Sequence, residues 1–121
     1  IAVLRVATVR DGDGLALSSR NQMLSASGRV AAAKAIPVAL SLIAEAYASG
    51  VTSVAALRSL AERVIAAEPS LSLDYLDFAE SATLVPLAEG AQVGDAASGE
   101  ALVSLAAVVD GVRLIDAITL P

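Results

Sequence analysis

Ala101-Leu102-Val103-Ser104-Leu105-Ala106-Ala107-Val108-Val109, Asp110-Gly111, Val112-Arg113-Leu114-Ile115-Asp116-Ala117-Ile118-Thr119-Leu120 is the stretch that decides the fold. Two apolar runs of equal length flank one Asp-Gly pair. Asp and Gly accept the positive φ angles that a two-residue hairpin turn requires. The stretch therefore predicts two antiparallel strands, Ala101 to Val109 and Val112 to Leu120. Upstream, Leu71 to Ala79 also has a period of two. Leu71, Leu73 and Tyr75 are expected on one face, Leu76 and Phe78 on the other. This run supplies a third strand. A segment from Thr83 to Leu87, ending against Pro86, follows it. Ala88 to Glu100 is rich in Gly, Ala, Ser and Asp and is expected to be an exposed loop.

Before the strands the period lengthens. Val30, Ala33, Ile36, Leu40, Ile43 and Tyr47 recur at three- and four-residue intervals, which predicts a buried helical stripe. The helix should run from about Ser27 to Ser49, capped by Ser25 or Ser27 with Leu24 as a staple. No Glu or Gln completes a capping box, since Gly28 stands three residues after Ser25. Pro37 removes a backbone donor, so a kink or break is expected near Ala33 to Pro37. Gly50 is the expected stop. A second helix, Val54 to Ala67, is capped by Thr52 or Ser53 and ended by Pro69. Its stripe is Leu57, Leu60, Ala61, Val64 and Ile65, with Arg58, Glu62 and Arg63 opposite. The short link between the helices favours an antiparallel pair.

Composition narrows the chemistry. At 121 residues the chain is one domain with one modest core. Aromatics are only 2%, so that core is built of Ala, Val, Leu and Ile. A net charge of −5 argues against a nucleic-acid surface, which needs clustered Lys and Arg. With no Cys and no His, thiolate chemistry, disulfides and imidazole catalysis or ligation by this chain are excluded. No metal site is expected. The most apolar long run, Val30 to Ala48, is interrupted by Lys34, Pro37 and Glu45 and does not read as a membrane span. Ile1 to Arg5 does not resemble a signal peptide. The expectation is a cytoplasmic protein or a processed or excised piece of one, with no membrane partner.

The chain opens on an expected strand, Ile1 to Val9, and a turn, Arg10-Asp11-Gly12-Asp13-Gly14. Leu17-Ser18-Ser19-Arg20-Asn21 then forms a polar island. Two hydroxyls and an always-charged guanidinium fork can grip phosphate oxygens. The same residues also make an ordinary solvated run into a helix cap, and composition alone favours that plainer reading.

A wider pattern bears on the choice. Thr8-Val9-Arg10-Asp11-Gly12-Asp13-Gly14-Leu15-Ala16-Leu17-Ser18-Ser19-Arg20-Asn21, followed by Leu24-Ser25, resembles the C-terminal domain signature of the pantothenate synthetase (pantoate–β-alanine ligase) family. Leu73-Asp74-Tyr75-Leu76, Thr83-Leu84 and Arg113-Leu114-Ile115-Asp116 follow in the family's order, so the resemblance spans nearly the whole chain. It departs at Ala7, where Pro is usual, Asp11 for Glu, Leu17 for Met and Ala117 for Asn. None of these removes a phosphate contact.

The resemblance implies a ligase that uses ATP, with Mg²⁺ carried on the phosphates, to join pantoate and β-alanine through a pantoyl adenylate. It implies that Ser18, Ser19 and Arg20 act like the KMSKS loop of nucleotidylyltransferases. Ser19 and Arg20 would then be catalytic, stabilising charge on the departing pyrophosphate. It places backbone near Val9 and the side chain of Leu17 beside the adenine. It also implies that residues 1–121 are the C-terminal ATP-lid domain. The family's N-terminal Rossmann-like domain, with its HxGH motif and its pantoate and β-alanine pockets, would be absent. Such a chain is expected to be inactive alone. The alternative is a non-catalytic assembly module that self-associates into a homo-oligomer through an aliphatic face normally covered.

The remaining polar residues receive structural readings. Arg10, Asp11 and Asp13 shape a turn. Asp74, Asp77 and Glu80 are solvated edge charges. Tyr75 and Phe78 belong to the core, and Arg113 pairs with Asp116. The expected architecture is a small α+β domain, with a two-helix hairpin packed on a small antiparallel sheet of about three strands. An N-terminal strand and the Ser-rich loop lead into it.

Overall fold

The structure is a computed structural model that describes residues 15, 24–93 and 99–121. Its elements are α1 (Ala26–Ala48), α2 (Val54–Ala66), β1 (Ser72–Glu80), β2 (Ala101–Val109) and β3 (Val112–Leu120). The hairpin has the expected bounds. Asp110 and Gly111 take φ of 54° and 72°, the pair of positive angles that lets a two-residue turn follow the strands' twist. Val109 faces Val112 across it, and the register runs unbroken to Ala101 and Leu120. Among the described residues the sheet order is β1-β2-β3, with both pairs antiparallel. This is the predicted α+β class. The expected strand Ile1 to Val9 lies outside the described residues.

Helix α2 packs over β1, and α1 lies over β2 and β3. The inner sheet face is continuous: Leu76 and Phe78 on β1, Val103, Leu105, Ala107 and Val109 on β2, Val112, Leu114 and Leu120 on β3. The alternation expected in β1 is corrected. A bulge between Leu73 and Tyr75 shifts the register, so Leu73 opposes Ala107 and shares the inner face with Leu76 and Phe78. Tyr75 opposes Ala106 on the outer face and is only half-buried, rather than in the core.

In α1 the buried set is Gly28, Ala31, Ala32, Ala35, Ile36, Ala39, Leu40 and Ile43. Val30, expected inside, is 56% exposed. Small residues let α1 lie close to its neighbours, so alanines rather than bulky residues mark the contact face. Pro37 sits within a continuous helix, and no break occurs there. The helix is long and apolar enough to cross a membrane by length and composition alone, yet these eight residues belong to the domain's own interior. It ends in a Schellman motif. Gly50, with φ of 108°, donates to Tyr47 O, and Val51 N donates to Ala46 O, each at 3.0 Å.

Helix α2 starts on Ser53 and buries Val54, Leu57, Ala61 and Ile65. Arg58, expected on the solvent side, leans onto β1 instead. It donates to Leu76 O, stands 5.6 Å over the Phe78 ring and lies 3.5 Å from Glu89. Residues 83–87 fold back along β1, where Leu87 N bonds Phe78 O and Glu80 N bonds Val85 O, both at 2.8 Å. The loop expected to be wholly exposed is partly inside. Val93 is fully buried, and Val93 N and Val54 N tie the chain to Thr52 O and Ala91 O.

Candidate functional site

The residues expected to grip ATP, namely Val9, Leu17, Ser18, Ser19 and Arg20, lie outside the described residues. So do Arg10, Asp11 and Asp13. What the structure does describe is how the chain is held on either side of the Ser-rich stretch. Upstream, Leu15 is 2% exposed and belongs to the main hydrophobic cluster. Downstream, Leu24 packs against that cluster and Ser25 begins α1.

Ser25 is held from both sides. Its hydroxyl accepts from Gly28 N at 3.0 Å, the usual N-cap bond to the third helical residue. In a capping box, a Glu or Gln at that third position would bond back to the cap's own N–H. Here that partner comes from the tip of the β2–β3 hairpin. Ser25 N and Ser25 Oγ both donate to Asp110 Oδ2, at 2.9 and 2.8 Å. Gly28 leaves room for it, since a Cβ there would overlap Asp110 Oδ2 and come within 2.8 Å of Asp110 Cγ. The Ser25 hydroxyl, then the Ser25 N–H, hold the Asp110 carboxyl below its usual range, against a small opposing effect of burial. A carboxylate at a helix N-terminus also meets the positive end of the helix dipole.

Asp74 and Asp77 are exposed on β1 as expected, but Glu80 is one of three carboxylates buried among the described residues, with Glu100 and Asp116. Glu80 is 5% exposed on the inner end of β1. Its Oε2 accepts from Thr83 N at 2.7 Å and Thr83 Oγ1 at 2.9 Å. Glu100 accepts from Ser81 Oγ at 2.8 Å. Together they hold the 81–84 turn, in which Leu84 takes φ of 62°. Asp116 is buried on the inner face, where its Oδ1 accepts from Ala117 N. Arg113 and Asp116 stand on opposite faces of β3, as residues three apart on a strand do, with Arg113 exposed and Asp116 buried. Arg113 instead meets Asp74 at 2.7 Å and stacks 5.2 Å over Tyr75 on the outer face. Among the described residues no group of three or more His, Cys, Asp or Glu stands together as a metal site.

Comparison with known proteins decides the lineage. Residues 1–119 match the family model described as pantoate-beta-alanine ligase. The chain belongs to that family. It is 39% identical over 116 residues to the pantothenate synthetase of Pelobacter propionicus, and 44% identical over 116 residues to that of Chloroflexus aurantiacus. These alignments cover 96% of this chain but only 38% and 39% of those proteins. A crystal structure of the Thermus thermophilus pantothenate synthetase superposes with a TM-score of 0.76 at 35% identity, covering 93% of this chain and 38% of that one. The chain thus spans about two-fifths of the length of the curated relatives it matches.

Sequence reasoning missed both anchors of the Ser-rich stretch. Leu15 was legible only as one apolar residue among many. The bond from Asp110 to Ser25 joins positions 85 apart, and its one local sign is Gly28 standing where a capping carboxylate is usual.

Proposed function

We propose that this chain is the C-terminal, ATP-phosphate-binding domain of a pantothenate synthetase. In the reaction so assigned, a pantoate carboxylate oxygen attacks the α-phosphorus of ATP. Pantoyl adenylate forms and pyrophosphate leaves. The amine of β-alanine then attacks the acyl carbon, and AMP departs. Ser18, Ser19 and Arg20 hold the β- and γ-phosphates, and Ser19 and Arg20 stabilise the charge that grows on pyrophosphate. A single well-placed donor contributes roughly 3 kcal/mol to such a step. The Val9 backbone and Leu17 side chain border the adenine. Mg²⁺ arrives on the phosphates as part of the substrate. Pantoate, β-alanine and the imidazoles of the HxGH motif belong to polypeptide other than these residues, so the chain alone makes no pantothenate. The reading places it in the cytoplasm.

The observation that carries this reading is the Asp13-Gly14-Leu15-Ala16-Leu17-Ser18-Ser19-Arg20-Asn21 run within a chain of this family. A second reading, the assembly module, draws on the outer sheet face. There Ile115 is 47% exposed beside Ala106, its cross-strand partner.

One titration separates the two. Calorimetry of the chain with MgATP is expected to show weak binding that falls as salt rises. Arg20→Ala should weaken it by at least about tenfold, the loss of a charged hydrogen bond. Equal isotherms for wild type and Arg20→Ala would remove Arg20 from the site. Light scattering on the same samples reports the alternative, through dimers that grow with concentration and ignore nucleotide.

A further inference from the structure

Helix α1 has a face that the domain does not bury. Opposite its inward set, Val30, Lys34, Val38, Ser41, Glu45 and Ala48 are all exposed. They recur at three- and four-residue intervals, so they form one straight ridge, with Pro37 and Leu42 half-buried beside it. An outward helix face is ordinarily polar. That of α2 conforms, with Ser59, Glu62 and Arg63 exposed. The ridge of α1 instead shows two valines, Val30 at 56% and Val38 at 44% exposure. A helix that is apolar outward as well as inward calls for a cover.

The two charges on the ridge say what kind of cover fits. Lys34 lies in the first half of α1 and Glu45 in the second, about 16 Å apart along the axis. Among the described residues neither takes part in an ion pair. A second copy laid antiparallel on the ridge, with a twofold axis between Val38 and Ser41, sets Lys34 of each copy against Glu45 of the other. Pro37 and Val38 of each then face Leu42 and Ser41 of the other. A parallel copy would set Lys34 against Lys34 and Glu45 against Glu45, which charge repulsion disfavours. No aromatic side chain stands on the ridge, so the two helix axes can approach to near 8 Å.

We propose that the outer ridge of α1 is a self-complementary docking face, through which two copies of this chain pair with their α1 helices antiparallel. A ridge about 35 Å long and one helix wide covers a few hundred Å² per copy, below the roughly 800 Å² of a stable interface. The dimer is therefore weak and reversible. It needs no nucleotide, so it is independent of the phosphate-grip reading, which calorimetry tests separately. It also uses a different surface from the outer sheet face around Ile115.

The test is sedimentation equilibrium of the 121-residue chain at low salt, from about 10 μM to about 1 mM. Lys34→Glu and Glu45→Lys each turn two attractive contacts into repulsive ones. Each should weaken the dimer by at least about tenfold, and both residues are exposed, so Tm should stay near wild type. The Lys34→Glu/Glu45→Lys double variant should dimerise again. So should an equimolar mixture of the two single variants, as a heterodimer that neither forms with itself. Ile115→Ser should leave the dimer unchanged. A chain that stays monomeric to about 1 mM overturns the proposal and gives the ridge to polypeptide beyond these residues or, if that monomer pellets with phosphatidylcholine vesicles, to a membrane. Dimers lost in Ile115→Ser but kept in both charge variants overturn it in favour of the outer sheet face. Weakening by the single variants without rescue by either combination overturns it too, since the change in net charge would then account for the loss.

Discussion

Ser25 starts α1 and Ser53 starts α2, each with its hydroxyl on the backbone N–H three residues further on, at 3.0 and 3.3 Å. Each start is also tied to a distant part of the chain, but by different means. At α2 the tie is chiefly main chain, with one side-chain bond from Thr52 Oγ1 to Gln92 Oε1 beside it. Val54 N donates to Ala91 O and Val93 N to Thr52 O, so residues 91–93 add a short bridge beside Ser53. At α1 the tie is a side chain, the Asp110 carboxylate on Ser25. A backbone tie survives most substitutions, because every residue but Pro offers the same groups. A side-chain tie depends on three residue types at once: the carboxylate, the hydroxyl and the glycine that gives them room. The helix whose start leads out of the proposed ATP loop therefore carries the more fragile, more adjustable anchor.

The largest effect should come from Gly28→Ala. Alanine normally favours a helix over glycine by about 1 kcal/mol. Here the new methyl overlaps the Asp110 carboxylate, so overpacking is expected to reverse the sign and cost about 2 kcal/mol net. In an Asp110→Gly background the obstacle is gone, and the same Gly28→Ala change should become neutral or stabilising. Urea unfolding of the four proteins in this cycle measures the coupling. Additive behaviour would mean that the close approach does not constrain Gly28, and the contrast with α2 would lose its basis.

Next in size are the caps themselves. Replacing an N-cap Ser by Ala typically costs about 1 kcal/mol. Ser53→Ala is expected at or below that, given its longer bond. Ser25→Ala should cost clearly more, because the same hydroxyl also serves Asp110. Equal losses at the two caps would show that the carboxylate adds nothing to the first.

Much of this architecture was open to reading from the sequence, for reasons that differ by region. The hairpin bounds came out because two apolar runs around Asp110-Gly111 leave one register. The helix bounds came out nearly as well, because Ser25, Ser53, Gly50 and Pro69 are strong local punctuation. The faces fared worse. Bulk and spacing favour Val30 as a buried residue, whereas the small Ala31, Ala32, Ala35 and Ala39 form the contact. A period of two misplaces Leu73 because a bulge changes the phase, and it gives no sign that Glu80 is buried because its partner Thr83 lies beyond the strand. Of the candidate site, Ser18, Ser19 and Arg20 stand out as a motif because neighbouring residues carry it, and they lie outside the described residues. The hold on Ser25 does not stand out, because the contact crosses 85 positions and leaves only a missing Glu as its local trace.

The smallest expected effect distinguishes the two ties by pH. The Asp110 carboxyl is held below its usual range by the Ser25 hydroxyl and N–H, so the folded chain prefers it ionised. A carboxyl lowered on folding stabilises the fold above its unfolded pKa, about 3.9, and that contribution is lost as pH falls through the lower, folded value. Asp110→Asn cannot titrate and keeps the positive φ of the turn. The Tm difference between wild type and Asp110→Asn should therefore be constant above about pH 5 and shrink below about pH 4. It should be modest and reduced by salt, because Asp110 is exposed. The bonds of Ala56 N to Ser53 Oγ, Val54 N to Ala91 O and Val93 N to Thr52 O join only main-chain and hydroxyl groups, so the difference between wild type and Ser53→Ala should stay level over the same range. A difference for Asp110→Asn that is equally level down to pH 2 would mean that the charge on the carboxylate is irrelevant. The anchor of α1 would then be as insensitive to protons as that of α2.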